Sequence, residues 1–249
     1  MTNEILKISS LTKTYYTQKK SRTILKNINL TVNKSDFLCV LGPSGCGKST
    51  LIRCIAGFEE YEGEVICSGK KVTKPGTDRI MVFQDFNQLY PWKTVEKNIQ
   101  YPLKIKGIKD KDKLREITDD VLKKVDLDGR QKNYPHELSG GMKQRVAIAK
   151  ALAMNPEIIL MDEPFAALDA MTRNKLLEEL QRIHRETGIT VIFITHNIQE
   201  AIVLGTRVLV MDKNGNIIID EKNSIPKPVT PASPGYGEMW DRLHNSLGQ

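Results

Sequence analysis

The stretch Gly42-Pro43-Ser44-Gly45-Cys46-Gly47-Lys48-Ser49-Thr50 limits the fold more than any other part of the chain. It satisfies the pattern G-x-x-x-x-G-K-[ST] at every fixed position. The apolar run Phe37-Leu38-Cys39-Val40-Leu41 precedes it, and a helix-compatible stretch from Lys48 to Ala56 follows. Gly42, Gly45 and Gly47 let the backbone turn tightly and aim several N–H groups inward, forming an anion cradle. Lys48 adds a mobile positive charge for outer phosphates, and the Ser49 hydroxyl can ligate Mg²⁺. The bland alternative, an ordinary glycine-rich turn before a helix, is disfavoured because both flanks are right. The loop by itself points to a nucleoside triphosphate and leaves open what its energy drives.

The 249 residues suffice for one large α/β domain or a core with a subdomain. No apolar run approaches the roughly 18 residues of a membrane-spanning helix. The start, Met1-Thr2-Asn3-Glu4-Ile5-Leu6-Lys7, lacks the apolar core of a signal peptide, so a cytosolic protein is expected. Cys39, Cys46, Cys54 and Cys67 contain no C-x-x-C pair, which argues against zinc; size and compartment argue against disulfides. Cys46 sits beside Lys48, where a lowered pKa is conceivable, but a tolerated small side chain is the preferred reading. A net charge of +7 raises the question of nucleic acid or an anionic surface. The basic residues are interleaved with acids, as in Lys109-Asp110-Lys111-Asp112-Lys113, and no aromatic-interleaved basic stripe occurs. A solvated face is expected, and no nucleic-acid partner.

Short β segments are expected at Leu6–Leu11, Ile24–Val32, Phe37–Leu41, Gly63–Ser68 and Ile80–Phe83. From about Val95 to Met154 the pattern turns helical, with Val121, Leu122, Val125 and Leu127 on one amphipathic face. Val146, Ile148, Ala149, Leu152 and Ala153 mark another such face. Strands Glu157–Asp162, Thr190–Thr195 and Arg207–Met211 then alternate with a helix over Asn174–Arg185, and Asn216–Asp220 reads as an edge strand. Wholly apolar strands separated by helices predict a parallel sheet covered on both faces, interrupted by an inserted helical subdomain. After Ile225 a proline-rich tail should lead to a short terminal helix.

Asp162-Glu163-Pro164 ends an apolar strand. An Asp delivered there can hold Mg²⁺ through its water shell, and Glu163 is placed to accept a proton from an attacking water. Leu138-Ser139-Gly140-Gly141-Met142-Lys143-Gln144-Arg145 offers Ser139 as an N-cap, followed by two glycines at the positive end of a helix. That is a second anion site in one chain, although alone it reads more readily as an ordinary cap.

With these residues in view, the chain resembles the ATP-binding cassette (ABC) family of transport ATPases over nearly its full length. The glycine loop, Gln84 in Phe83-Gln84-Asp85, Leu138 to Gly141, Asp162-Glu163, Ala167-Leu168-Asp169 and Thr195-His196 occur in the family's order. The resemblance implies an α/β fold: a P-loop NTPase (RecA-like) core with an N-terminal antiparallel β subdomain and an inserted α-helical subdomain. The expected core is 1–84 and 157–224, with helical subdomain 85–156 and tail 225–249. It further implies a homodimer with two ATP molecules and Mg²⁺ between subunits, Ser139, Gly140 and Gly141 facing the partner's Lys48. By resemblance Tyr15 stacks on adenine, with Tyr16 as rival, and Gln84 touches Mg²⁺ and the attacking water. Glu163 resembles the general base, His196 the γ-phosphate switch that orients it, and Asp169 the link between the two sites. His136, His184 and His244 lack such context and are expected at the surface or in packing. Met142 stands where many members carry Gln; branches resembling nitrate, sulfonate and taurine importers often have Met.

Val82 through Val95 is similar to that importer branch, as is the tail from Ile225. Thiamine-precursor and riboflavin importers share the pattern. The resemblance implies transmembrane permease subunits, a solute-binding protein acting indirectly, and a peripheral place on the cytoplasmic face of the membrane. Phe86-Asn87-Gln88-Leu89-Tyr90-Pro91-Trp92 is expected in the groove that receives a permease helix, with packing on the helical subdomain as the alternative. Three other classes are weaker. A repair or translation cassette would carry a coiled-coil insertion or tandem cassettes, another P-loop enzyme such as a kinase would lack Leu138 to Gly141 and His196, and a non-catalytic module would lack Glu163.

Overall fold

The computed structural model describes residues 3–16, 20–83 and 88–248. Two long strands open the chain, β1 (Glu4–Tyr16) and β2 (Ser21–Asn33). β3 (Phe37–Leu41) leads through the glycine loop into α1 (Lys48–Ala56). β4 (Glu62–Cys67), the two-residue β5 (Lys70–Lys71) and β6 (Arg79–Val82) follow. A helical block comprises α2 (Val95–Ile105), α3 (Lys111–Lys124) and α4 (Gly140–Ala153). Then come β7 (Ile158–Asp162), α5 (Ala170–Thr187), β8 (Thr190–Ile194) and α6 (Ile198–Leu204). β9 (Arg207–Met211), β10 (Ile217–Lys222) and α7 (Tyr236–Leu247) complete it.

The strands form an antiparallel sheet in the order β2-β1-β4-β5 and a larger sheet in the order β10-β9-β3-β8-β7-β6. The larger sheet is parallel except for β10, which pairs antiparallel with β9. Every residue of β3 and β8 is buried, so alternation of polarity gives way to alternation of destination. Phe37, Cys39 and Leu41 join the core with Val191, Phe193, α5, α6 and the helical block. Leu38 and Val40 point the other way, into the layer of α1, β1 and β2. A chain with polar residues at either set could not fill both layers.

Several boundaries differ from the sequence expectation, each for a physical reason. β1 runs well past Leu11 because register shifts near Ser10 (φ 51) absorb residues that break its alternation. α5 begins at Ala170, where Asp169 accepts a hydrogen bond from the Thr172 N–H, and ends at Gly188 (φ 62). The expected helical region holds three helices, parted at Gly107 and by residues 125–139, which include a 3₁₀ turn at Pro135–Glu137. β5 and α6 were not anticipated: one is two residues long, and the other only seven, too short for periodicity to speak.

α6 is fastened at its carboxyl end by the chain's final segment. Lys227 Nζ donates to the carbonyls of Ile202 (3.2 Å), Val203 (2.6 Å) and Gly205 (2.9 Å). Asn223 Nδ2 reaches Ile202 O and Gly205 O at 2.8 and 2.9 Å. These carbonyls would otherwise be orphaned at a helix terminus. Burial pulls the Lys227 ammonium down to about 8. No helix among the described residues is long and apolar enough to cross a membrane.

Candidate functional site

β3, β8 and β7 are adjacent in the sheet and parallel, so their carboxyl ends open on the same edge. That edge receives the glycine loop from β3, Thr195 and His196 from β8, and Asp162 and Glu163 from β7. Crevices at the carboxyl ends of strands are where open α/β sheets bind ligands.

Inside the loop, Gly47 has φ 110, and a Cβ there would lie 2.8 Å from Leu25 Cδ2 and 3.0 Å from Ile24 Cγ2. A Cβ at Gly42 would meet Met211 O at 2.7 Å and Cys46 Sγ at 2.9 Å. Lys48 is buried, and its ammonium donates to Gly42 O (2.7 Å) and Pro43 O (3.0 Å), so its charge is held against the loop. Cys46 is buried too, and burial pushes its thiol up despite the neighbouring Lys48. Desolvation outweighs the lysine's attraction, in favour of the small-side-chain reading of Cys46 over a low-pKa thiol. All four cysteines are free and buried.

Ser49 Oγ donates to Asp162 Oδ1 at 2.9 Å, joining the loop helix to the end of β7. Burial raises the Asp162 carboxyl, opposed by Ser49 and by the charges of Arg53 and Lys48. A hydroxyl and a carboxylate are hard oxygen donors suited to Mg²⁺. Among the described residues no cluster of His, Cys, Asp and Glu forms a closed metal cage. An ion shared between this pair, water and phosphate oxygens needs none.

The next residue, Glu163, holds a left-handed conformation (φ 45). A non-glycine residue there carries backbone strain of about 1–3 kcal/mol, and such strain gathers at functional sites. The strained turn is pinned by a bond from Glu163 N–H to Ile194 O (3.1 Å) on the neighbouring strand. His196 Nδ1 lies 2.8 Å from Glu163 Oε2. A carboxylate oxygen accepts, so in this pairing the Nδ1 N–H of His196 donates to Glu163.

A cavity of about 310 Å³ is lined by Ser44, Gly45, Gly47, Lys48, Ser49, Thr50, Glu163 and Tyr15, with Arg22 and Ile24. Tyr15 thus shares a cavity with the glycine loop, while its rival Tyr16 does not and is 76% exposed. Arg22 and Ile24 were missed. The signal for Arg22 lay in strand pairing, since it stands opposite Tyr15 across β1 and β2.

Ser139, Gly140, Gly141 and Asp169 do not line this cavity. Ser139 is exposed, and its Oγ caps α4 by accepting from the Met142 N–H at 3.3 Å. Gly141 is buried, and a Cβ there would meet Thr172 Cγ2 at 2.5 Å, so this glycine lets α4 approach α5. Asp169 is exposed, its carboxyl held below the usual range by its bonds to Thr172. Gln84 lies outside the described residues. His184 packs edge-on to Phe37 at 5.2 Å, as a packing residue should. The aromatic stretch divides: Leu89 is buried, Trp92 is 71% exposed, and Phe86 and Asn87 lie outside the described residues.

The ABC transporter family model matches residues 25–166. The aliphatic sulfonates import ATP-binding protein of Bacillus cereus is 46% identical over 92% of this chain and 90% of its own length. An uncharacterized ABC transporter ATP-binding protein of Methanocaldococcus jannaschii is 50% identical over 97% of this chain and 91% of its own. A dimeric ATP-binding cassette solved in a post-hydrolysis state with ADP and Pi superposes with a TM-score of 0.77. It is 37% identical, and the match covers 88% of this chain and 99% of that one. With the family model matching more than half of the chain and relatives at 46% and 50% identity covering nine-tenths of it or more, the chain belongs to the ABC transporter family as an ATP-hydrolysing subunit.

Proposed function

We propose that two copies of this chain clamp two ATP molecules and drive an importer whose membrane-spanning permease is a separate protein. The observation that carries the hydrolytic part is the 2.8 Å contact between His196 and Glu163, which lines the same cavity as Lys48. Glu163 takes a proton from the attacking water, and His196 fixes the carboxylate's orientation while offering Nε2 toward the γ-phosphate side. Lys48 leaves its two carbonyl partners to neutralise phosphate charge, and Gly45 and Gly47 N–H groups cradle the chain of phosphates. Ser49 and Asp162 would hold Mg²⁺; Gln84, for which the sequence suggests a share in the ion and the attacking water, lies outside the described residues. The ion would neutralise charge on the transferring phosphoryl group. Tyr15 stacks on the adenine.

Ser139, Gly140 and Gly141 lie away from this cavity because they serve the partner's nucleotide, with Asp169 crossing between the sites. Residues 1–84 and 157–224 act as the nucleotide-binding core, 85–156 as the helical subdomain and 225–249 as the tail. Closure and reopening of the dimer move the permease from the cytoplasmic face of the membrane. The Bacillus cereus relative's role in aliphatic sulfonate import favours a small organic anion as the solute, delivered by a solute-binding protein. The test is Glu163→Gln. Turnover should fall by about 100-fold or more while ATP binding persists and ATP-loaded dimers accumulate on a sizing column. Retained hydrolysis would remove Glu163 from the mechanism. For the solute, disrupting the gene should abolish growth on an alkanesulfonate as sole sulfur source; unchanged growth overturns that assignment.

A further inference from the structure

Glu200 is a buried carboxylate (5% exposed) that the mechanism above does not use. It lies in the first turn of α6, with one oxygen hydrogen-bonded and the other in an ion pair. Oε2 accepts from the Thr195 hydroxyl at 2.5 Å, and Oε1 faces Arg173 Nε at 3.6 Å. Thr195 Oγ1 in turn accepts from the Asn197 N–H at 2.9 Å, so one hydroxyl spans the residues on either side of His196. At the other end, Arg173 Nη2 donates to the carbonyl of Leu168 at 3.0 Å, immediately before Asp169. A buried charge is costly unless it is paired and hydrogen-bonded. A pair that served only to join α5 to α6 would not need to end on two loop backbones, each one residue from a functional candidate.

We infer that Arg173, Glu200 and Thr195 form a positioning relay that ties the loop carrying Asp169 to the turn carrying His196. Movement of the Asp169 loop, which in the proposed dimer meets the second subunit, is transmitted through the Arg173 guanidinium to Glu200 and from there to the Thr195 hydroxyl that sets His196. None of the three touches the reacting atoms. This rests on the reading of Glu163 and His196 as the hydrolytic pair. A displacement of about 1 Å at such a pair is enough to cost on the order of 100-fold in rate.

The test compares Arg173→Met, Thr195→Val, Thr195→Ser and their Met/Val double variant in the full chain. His196→Ala serves as the control. The relay predicts that Arg173→Met and Thr195→Val each lower kcat, per folded molecule, by about 10-fold to 100-fold. KM for ATP and the affinity for a fluorescent ATP analogue should stay within about threefold, since the cradle is untouched. Thr195→Ser, which keeps the hydroxyl, should restore kcat. The double variant should fall little further than either single one, because both cut the same chain of contacts. If melting temperature falls while kcat per folded molecule stays at the wild-type value, the contacts only join two helices and the relay is wrong. If His196→Ala collapses turnover and the relay variants do not, the relay alone fails. If His196→Ala hydrolyses ATP normally, the site reading itself fails.

Discussion

Nδ1 of His196 and Oε2 of Glu163 stand 2.8 Å apart although the residues are 33 positions apart in the chain. Adjacent parallel strands bring them together: Asp162 pairs with Ile194, so the residues following each strand emerge side by side. The separation of the pair is thus set by sheet register, and α5 between the strands is the crossover that makes a parallel pairing possible. His196→Ala should lower kcat by about 100-fold, in the range for positioned acid–base groups, with nucleotide affinity nearly unchanged. Combined with Glu163→Gln the two losses should not add, because each variant disables the same pair. Steady-state hydrolysis by the three variants measures this, and strictly additive losses would show that the residues act separately.

The two left-handed glycines of the loop should answer differently to a methyl group. Gly47→Ala adds backbone strain and drives a Cβ to within 2.8 Å of Leu25, in a buried place. Gly45→Ala meets no atom within 4 Å and pays only for its φ of 81. Strain alone is about 1–2 kcal/mol. Urea midpoints should therefore show Gly47→Ala as the more destabilised, and ATP binding should fall further in it. Equal midpoints would mean that β2 yields to make room.

Ser139→Arg should leave one subunit's ATP binding nearly intact while abolishing dimer closure and turnover. Ser139 is exposed and away from its own chain's nucleotide cavity, so a large cation there disturbs the facing copy rather than the home site. The same change also removes an α4 cap worth about 1 kcal/mol, so a melting curve is needed alongside. Wild-type turnover in this variant would sink the shared-site arrangement.

Glu179 supplies a pH dependence of stability. Burial pushes its carboxyl up to about 7, even with Arg145 Nε only 3.0 Å away. The folded chain then holds a proton that the unfolded chain, with an ordinary glutamate near 4.5, has released. Between those values the folded state binds more protons, so this group's contribution makes stability decline as pH rises from about 4.5 through 7. Glu179→Gln should flatten that decline, read from urea midpoints at pH 5 and pH 7, short of the value of about 8 at which Lys227 titrates. An unchanged slope would place the pH dependence elsewhere.

Much of the site could be read from residues alone because its chemistry is local. Gly42 to Thr50 is contiguous, and Asp162 with Glu163 follows an apolar strand that announces itself. What escaped the sequence were contacts set by how distant elements meet. Arg22 enters the cavity only because it faces Tyr15 across a register, and Arg173 meets Glu200 only because α5 lies against α6. Gly141 was legible as a glycine beside a cap, yet its buried contact with Thr172 belongs to the meeting of two helices. The strands of the central sheet were easy because burial on both faces writes an unbroken apolar run. β1 was hard because its bulges erase the period of two.

The fastening of α6 by Asn223 and Lys227 gives the chain an asymmetry of tolerance. Lengthening it beyond Leu247 leaves every partner of the Ile202, Val203 and Gly205 carbonyls in place. Shortening it to before Asn223 strips all three at once, at the far end of the helix whose opening turn carries Glu200. A segment that looks like packaging is thus a keystone, and truncations meant to trim a proline-rich tail would be felt at the opposite end of α6.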